Sequence, residues 1–583
     1  EEIPMAMRVS GINSGLDTDA IVQELVSAYS QKTEKYTKEQ TKLGWKQEIW
    51  KGLNTKVYSL YNSVGKMRYS SAYSLKKTTA SDTTKASVTA SSDAVNGTQK
   101  LHVLSTAQSG YLTGGKLALR KEVTKDDGTT ELQKTDGRDE NGNIIKITSE
   151  TKLSALGYTD GKDTTLDIHT TDEKGQAVTK KITLGKDSTI QDVVSALREN
   201  GLNASFDENN GRLFVSSKDT GKAADFTIGA STTKQIPKTD ADGNFVKDKD
   251  GKVVMDEIEM SDEESASSKK LLGLLGLDTV NNTYDNQAVK IDGRDAVISL
   301  NGVKYTNTTN EFSINGLNIS VTGVTDDVDD PENVDLSTLD DSKAITITTT
   351  TDTQGIYDKI KDFLTEYNNI INEITKLYNA DSAGSYEPLT DDEKDKMSDT
   401  EIEKWETKIK DSLLRRDNSL SSIMNSMMTS MSSGIEINGK SYSLSSFGIQ
   451  TLGYLNAAAN EQNAYHIDGD EDDENTSGNK DKLMDAITKD PDTVVSFFQQ
   501  LSKNLYKAMD DQMQSSSLRS RYKIYNDKEL DKEYSNLAKT IKQWESKVSD
   551  KEDYYYKKFS NMETALSKLQ SQTSSLSSML GTS

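Results

Sequence analysis

The chain of 583 residues contains no cysteine, so disulfides, thiolate metal ligands and a cysteine nucleophile are excluded together. Histidine is nearly absent: His102, His169 and His466 lie far apart, with no His-x-x-x-His or His-Glu spacing, and read as strand or surface residues rather than ligands. There is no P-loop, no Gly-x-Ser-x-Gly and no Gly-x-Gly-x-x-Gly, so neither nucleotide binding nor serine hydrolysis has a local signature. Asp468, Asp470 and Asp472 alternate as in a calcium loop. Asp473 stands where such a loop needs glycine and Asn479 where it needs glutamate, so a solvated acidic loop is expected. No catalytic, cofactor or metal residues are expected, and the chain does not read as an enzyme.

Long apolar runs are missing as well. The longest, Leu271 to Leu277, falls far short of the ~20 residues of a membrane span, so no membrane insertion is expected. The front of the chain shows no basic segment followed by an apolar core and a small-residue cleavage site, which argues against a cleaved secretory signal. The net charge of −23 repels phosphate backbones, so nucleic acid is not an expected partner. With 33% hydrophobic and 28% charged residues and a mean hydropathy of −0.70, the composition suits elongated modules and long helices better than one large sphere.

Only five prolines occur, at Pro4, Pro237, Pro331, Pro388 and Pro491, and neither proline nor glycine lies between Pro491 and Gly581. Nothing there is expected to break a helix. Its last part carries a seam at spacings of four and three: Leu530, Tyr534, Leu537, Ile541, Trp544, Val548, Tyr555, then Met562, Leu566, Leu569, Leu576 and Leu580. This 3.5-residue period predicts a coiled coil. The front end mirrors it. In "INSGLDTDAIVQEL", Gly11 and Gly15 permit tight bends and Asp17 or Thr18 caps a helix. Leu16 is placed as a hydrophobic staple, and Ile21, Leu25, Ala28 and Tyr29 form an apolar stripe. Further helices are expected through Trp50 to Met67, Ile356 to Leu377 and the methionine-rich Leu420 to Met431, with the two chain ends packing together.

Between about Lys76 and Thr351 the period changes to two, and turn pairs such as Asn210-Gly211, Asp250-Gly251, Asn301-Gly302 and Asn315-Gly316 separate the alternating runs. One helix, "DSTIQDVVSALRENG", interrupts them. The fold class is thus a multidomain α+β protein in which a coiled-coil and helical-bundle stalk, formed by both chain ends, carries inserted β-rich head domains. The expected division has a leg (1–40 and 541–583) and a bundle (41–75 and 351–540). A first β-rich head (76–115 and 285–350) then carries a second (116–284). Apolar burial along the terminal seam, together with its helix hydrogen bonds, only about offsets the backbone entropy of ordering it, so the ends are expected to become helical only on assembly.

Three stretches then carry a resemblance: "RVSGINSGLDTDAIVQELV" at the front, "YEPLTDDEKDKMSDTEIEKWETKIKDSLLRRD" at 386–417 and "MDAITKDPDTVVSFF" at 484–498. Together they resemble the bacterial flagellar filament cap family, hook-associated protein 2 or FliD. The region 163–229 also resembles an insertion module shared with flagellins. The chain departs from the family pattern at Arg416, where a glycine is expected before Asp417. The resemblance implies a secreted protein of the flagellum tip, exported by the flagellar type III system without a cleaved signal. It implies a homo-oligomeric ring, commonly a pentamer, that folds and inserts exported flagellin and prevents its loss to the medium. Flagellin, the hook–filament junction protein and a cytoplasmic export chaperone are the implied partners. Self-assembly and flagellin contact would fall to Leu16, Ile21, Leu25, Tyr29, Leu537, Ile541, Trp544, Val548, Tyr555, Met562, Leu566, Leu569, Leu576 and Leu580. Other readings are another flagellar axial protein (flagellin or junction), cell adhesion to mucin or host glycans through the head, and an enzyme in the strand-rich middle.

Overall fold

The computed structural model describes residues 14–138, 141–172, 175–240, 245–248, 252–281, 283–579 and 581. The chain divides into two units, one built from residues 1–75 and 352–583 and the other from 76–351.

The first unit is helical. Its N-terminal helix, Thr18–Met67, starts where Asp17 accepts a hydrogen bond from the Ala20 N–H at 3.0 Å, after Gly15 turns the chain at φ +69°. Gly11 lies outside the described residues. The C-terminal half of this helix buries Trp50, Leu53, Val57, Leu60, Val64 and Met67 against the helices Thr353–Tyr378, Asn418–Ser432, Lys482–Lys489 and Pro491–Gln512. The apolar spacing of 3.5 to 3.6 that the sequence shows is the packing stripe of this bundle. Pro491 opens its helix at the first turn, with Asp490 capping it through the Thr493 N–H.

The proline- and glycine-free stretch after Pro491 is not one helix, contrary to the expectation. Helices Pro491–Gln512 and Asp527–Met579 are separated by residues 513–526. The cause is tertiary. Asn54 accepts from the Ile524 N–H at 2.9 Å and donates to the Tyr522 carbonyl at 3.3 Å, while Tyr525 stacks on Trp50 at 5.2 Å. These contacts outweigh propensity in a segment whose serines, Ser515 to Ser517, favour non-helical backbone.

The second unit holds two cores. Strands Lys76–Ala80, Ile345–Thr351, Gly97–Ser105, Ala296–Leu300 and Val303–Asn307 form a five-stranded antiparallel sheet in that spatial order. It shares a core of Leu101, Val103, Ile298 and Leu300 with Phe312, Leu317 and Ile319 of the three-stranded sheet Glu311–Ile314, Leu317–Val321 and Ala86–Ala90. Asn301-Gly302 and Asn315-Gly316 turn two of its hairpins with both residues at positive φ.

The second core joins the sheet Val289–Ile291, Tyr111–Thr113, Arg212–Ser217 and Leu202–Asp207 to the sheet Thr227–Ala230, Thr164–Thr171 and Ala177–Leu184. Its helix Ile190–Glu199 is capped by Thr189 and buries Ile190, Val193, Val194 and Leu197. A second helix, Asp262–Leu274, was not expected from the strand-rich pattern. Its signal was present as a capping box, Ser261 with Glu264, ahead of the apolar run at Leu271. The turn pairs Asp242-Gly243 and Asp250-Gly251 lie outside the described residues.

Candidate functional site: the paired terminal helices

The N-terminal helix and the C-terminal helix, Asp527–Met579, pack antiparallel. Aromatic and amide contacts fix the register. At the base Trp50 stacks on Tyr525. Further out, Gln47 donates to Asp531 at 2.8 Å and Gln40 to the Tyr534 carbonyl at 3.4 Å. The Tyr534 ring lies where a Cβ on Gly44 would sit 3.6 Å from it. Outermost of these, Tyr29 meets Trp544 at 6.4 Å, and the ammonium groups of Lys32 and Lys547 cover the indole at 4.7 and 4.1 Å. At 1.5 Å per residue this register sets Thr18 level with about residue 555, and the C-terminal helix runs on for roughly two dozen residues.

The base is held by a polar network. The Tyr61 hydroxyl donates to Asp510 at 2.7 Å and lies 2.5 Å from the Tyr506 hydroxyl, whose ring stacks on that of Tyr61 at 4.4 Å. Arg521 donates to the same Asp510 oxygen at 2.5 Å, and Arg68 covers the Tyr506 ring at 3.7 Å. Burial pushes the Asp510 carboxyl up, but the hydrogen bonds from Tyr61 and Arg521 outweigh it and hold it below the usual carboxylate range. Tyr61 is pushed up, by burial first and then by its hydrogen bonds to Tyr506 and Asp510.

On another side of the N-terminal helix docks the segment that carries the second sequence motif. Thr390 with Glu393 and Ser398 with Glu401 form capping boxes that start Asp391–Lys394 and Asp399–Ser412. Trp405 donates to the Glu387 carbonyl at 2.8 Å and packs on Tyr386. Lys38, Lys42 and Lys46 pair with Glu393, Glu387 and Asp417 at 3.4, 3.7 and 3.1 Å. The motif is therefore a clamp on the helix that leads outward to the chain end.

The expected seam residues divide. Leu537, Ile541, Trp544, Val548, Tyr555, Met562 and Leu566 are half-buried, as are Ile21 and Tyr29. Leu569 and Leu576 are 57% and 58% exposed, Leu16 and Leu25 are exposed, and Leu580 lies outside the described residues. The buried residues of the outer N-terminal helix are Val22 and Val26, with Thr18, rather than Ile21, Leu25, Ala28 and Tyr29. Two apolar columns run side by side there, and period alone does not say which one faces the partner helix. Both terminal segments are helical in the single chain, yet among the described residues the C-terminal helix buries no apolar side chain fully, so its pairing with the N-terminal helix supplies only part of the burial that was assigned to neighbouring subunits.

Two family models match this chain: flagellar hook-associated protein 2 N-terminus over residues 14–110 and flagellar hook-associated protein 2 C-terminus over residues 293–571. The chain belongs to the flagellar hook-associated protein 2 family. Among relatives, the flagellar hook-associated protein 2 of Halalkalibacterium halodurans is 23% identical over 495 residues, 84% of this chain and 78% of its own length. That of Thermotoga maritima is also 23% identical, covering 98% of this chain and 96% of its own. The crystal structure of the flagellar cap protein from Escherichia coli aligns at a TM-score of 0.43 with 17% identity, over 79% of this chain and 95% of that one. The matched segments include the N-terminal helix, the clamp and the C-terminal helix as far as residue 571.

The acidic loop is not solvated throughout, as had been expected. Lys361, from the helix Thr353–Tyr378, places its ammonium 2.6 Å from both Asp470 and Asp472, and Asp468 is buried against Asn479 and Lys482. A lysine side chain thus holds the position a cation would take. Burial lowers the Lys361 ammonium, and the two carboxylates more than reverse this. His102, within the strand Gly97–Ser105, is buried with Asp326 at 2.7 Å, and His466 pairs with Asp473 at 2.5 Å. Among the described residues no group of three or more His, Asp or Glu side chains is placed to hold a metal, and no helix is long and apolar enough to cross a membrane.

Proposed function

We propose that this chain caps the growing flagellar filament, sitting at its distal tip and guiding exported flagellin into place. The observation that carries the reading is the pair of long terminal helices, matched by the family at both chain ends, whose outer part presents Leu25, Leu569 and Leu576 to solvent. Apolar residues repeated along a helix that outruns its partner are what a segment needs to insert among neighbouring subunits. In this reading residues 1–40 and 541–583 are legs, residues 41–75 and 351–540 a bundle, and the β-rich unit the plate of a ring, commonly a pentamer. The hook–filament junction protein is the first surface the cap meets. A cytoplasmic chaperone shields the seam before export through the flagellar type III system. The work is positional, with no bond made or broken.

The test is deletion of the gene, followed by measurement of flagellin in the medium. Unpolymerised flagellin accumulates and filaments are short or missing if the reading is right; filaments of ordinary length in that strain overturn it. Restoring the gene with Leu537→Asp leaves the β-rich unit folded and does not restore motility.

A further inference from the structure

Lysine and arginine stay out of the interior of this chain with one exception. Among the buried described residues the only one of either type is Arg120, 9% exposed, which opens the hairpin Arg120–Thr124 and Thr130–Lys134 of the β-rich unit. Its stem is fixed by packing: a Cβ on Gly157 would lie 3.2 Å from the Arg120 Cβ and 3.1 Å from Leu132. Its head has few partners. One N–H donates to the Tyr284 carbonyl at 2.6 Å, and the guanidinium carbon lies 5.1 Å from the centre of the Tyr284 ring. No second hydrogen bond and no ion pair reaches it among the described residues. Burial pulls the Arg120 guanidinium below its ordinary value, and Tyr284 and Asp285 nearby restore only part of the difference.

Arg120 opens into a cleft of about 850 Å³ between the hairpin, the helix Asp262–Leu274 and the segment 283–285. Cations are gathered there. Lys134 is the direct cross-strand partner of Arg120, so two like charges share one face of the hairpin, which costs stability unless an anion lies between them. Lys270 stands on the helix side. The carboxylates of the cleft already have partners. Asp285 pairs with Lys134 at 3.0 Å and Glu131 with Lys125. Glu122 accepts from the Thr159 hydroxyl at 2.7 Å and lies 4.0 Å from Lys270, which Asp160 holds at 2.9 Å. Lys134 and Lys270 therefore have counter-ions within the chain. The sequence has 93 acidic residues, and none of the described ones pairs with Arg120. A buried cation left in this state is costly, and an anion entering the cleft relieves the cost.

We propose that this cleft binds a small hydroxylated monocarboxylate, whose anion completes Arg120. Four of the five guanidinium N–H groups remain to donate, and their planar fork matches the two oxygens of one carboxylate. A single charge follows from the rim, where Glu122, Glu131 and Asp285 repel a second carboxylate or a phosphate dianion. A polar body follows from the walls, where Leu132 and the Tyr284 ring are the only large apolar surfaces. The volume is that of a small-molecule site, ~300–1,000 Å³. Such a site is separate from the capping role, which the paired helices carry, and either can fail without the other.

The test is isothermal titration of the full-length chain with gluconate and with gluconamide, which keeps the carbon skeleton and hydroxyls and lacks the charge. Gluconate should bind, and gluconamide at least tenfold more weakly. Arg120→Gln should weaken gluconate at least tenfold, with thermal unfolding as the check that the fold is kept. Should that variant fail to fold, Thr130→Trp, at an exposed position lining the cleft, fills the space and should abolish binding by a folded chain. Inorganic phosphate should not displace gluconate; displacement overturns the assignment of a singly charged ligand. Equal binding of gluconate and gluconamide, binding that survives either variant in folded form, or no binding of gluconate to the wild type each overturns the site and leaves the cap reading standing.

Discussion

Arg416 shows how one residue departs from its local rule. It adopts φ +56°, in the left-handed region that favours glycine, immediately before the cap Asp417 of the helix Asn418–Ser432. Its N–H donates to the Tyr378 carbonyl at 3.0 Å, so the turn is fixed whatever the side chain, and the guanidinium gains only a distant contact with the Tyr378 ring at 5.7 Å. The glycine expected here from the resemblance would adopt this φ without strain. Arg416→Gly should stabilise the helical unit by about 0.5–1 kcal/mol in urea unfolding, the left-handed penalty less the exposed ring contact. Asp510 makes the opposite kind of claim, since its side chain holds the bundle together. Its carboxyl is depressed in the fold, so its stabilisation is present above the ordinary carboxylate value near ~3.9 and is lost as pH falls through the lower folded value. Asp510→Asn should cost about 1–3 kcal/mol at pH 7 and progressively less as pH falls through the depressed folded-state value, so the stability curves of variant and wild type converge on acidification.

At the scale of elements, what could be read in the sequence depended on whether the deciding partner was local. The helix start at Asp17, the hairpin turns at Asn301 and Asn315 and the bundle stripe from Trp50 to Met67 were all legible, because caps, positive φ and a 3.6 period act within a few residues. The break at 513–526 was not, because its causes are Asn54 and Trp50, more than 450 positions away. The latch on the acidic loop was hidden for the same reason, since Lys361 lies over 100 residues from Asp470. The choice of Val22 and Val26 over Ile21 and Leu25 depended on the rotation of one helix against another, which a period cannot give. That rotation sets two grades of seam residue. Ile541, half-buried in the pair, should cost about 1–3 kcal/mol as Ile541→Asp and loosen the outer helices in amide exchange. Leu569→Ser with Leu576→Ser should change stability by no more than about 1 kcal/mol, because both are exposed, yet abolish motility if the outer seam contacts neighbouring subunits.

For the whole molecule, the path of the chain makes the β-rich unit an insertion that both leaves and re-enters the helical unit at a single point. Lys76 and Thr351 are direct antiparallel partners at its margin, so its two ends close on each other within its own sheet. On the other side, the Asp352 N–H donates to the Leu75 carbonyl at 2.9 Å, and Asp352 caps the helix Thr353–Tyr378. Each unit also keeps its large apolar side chains in cores of its own. Both halves therefore meet the conditions for folding alone, and joining the flanks across a gap already bridged by a hydrogen bond adds little loop-closure entropy. Residues 76–351 produced as a fragment should be monomeric and strand-rich at low concentration and unfold cooperatively. The remainder, with two to four glycine and serine residues in place of 76–351, should be helical and unfold as a second transition. If the intact chain shows both transitions in urea near the midpoints of its parts, the units are thermodynamically independent. A single sharp transition of the intact chain, with either part unfolded alone, would mean that the insertion point carries stability that neither core accounts for.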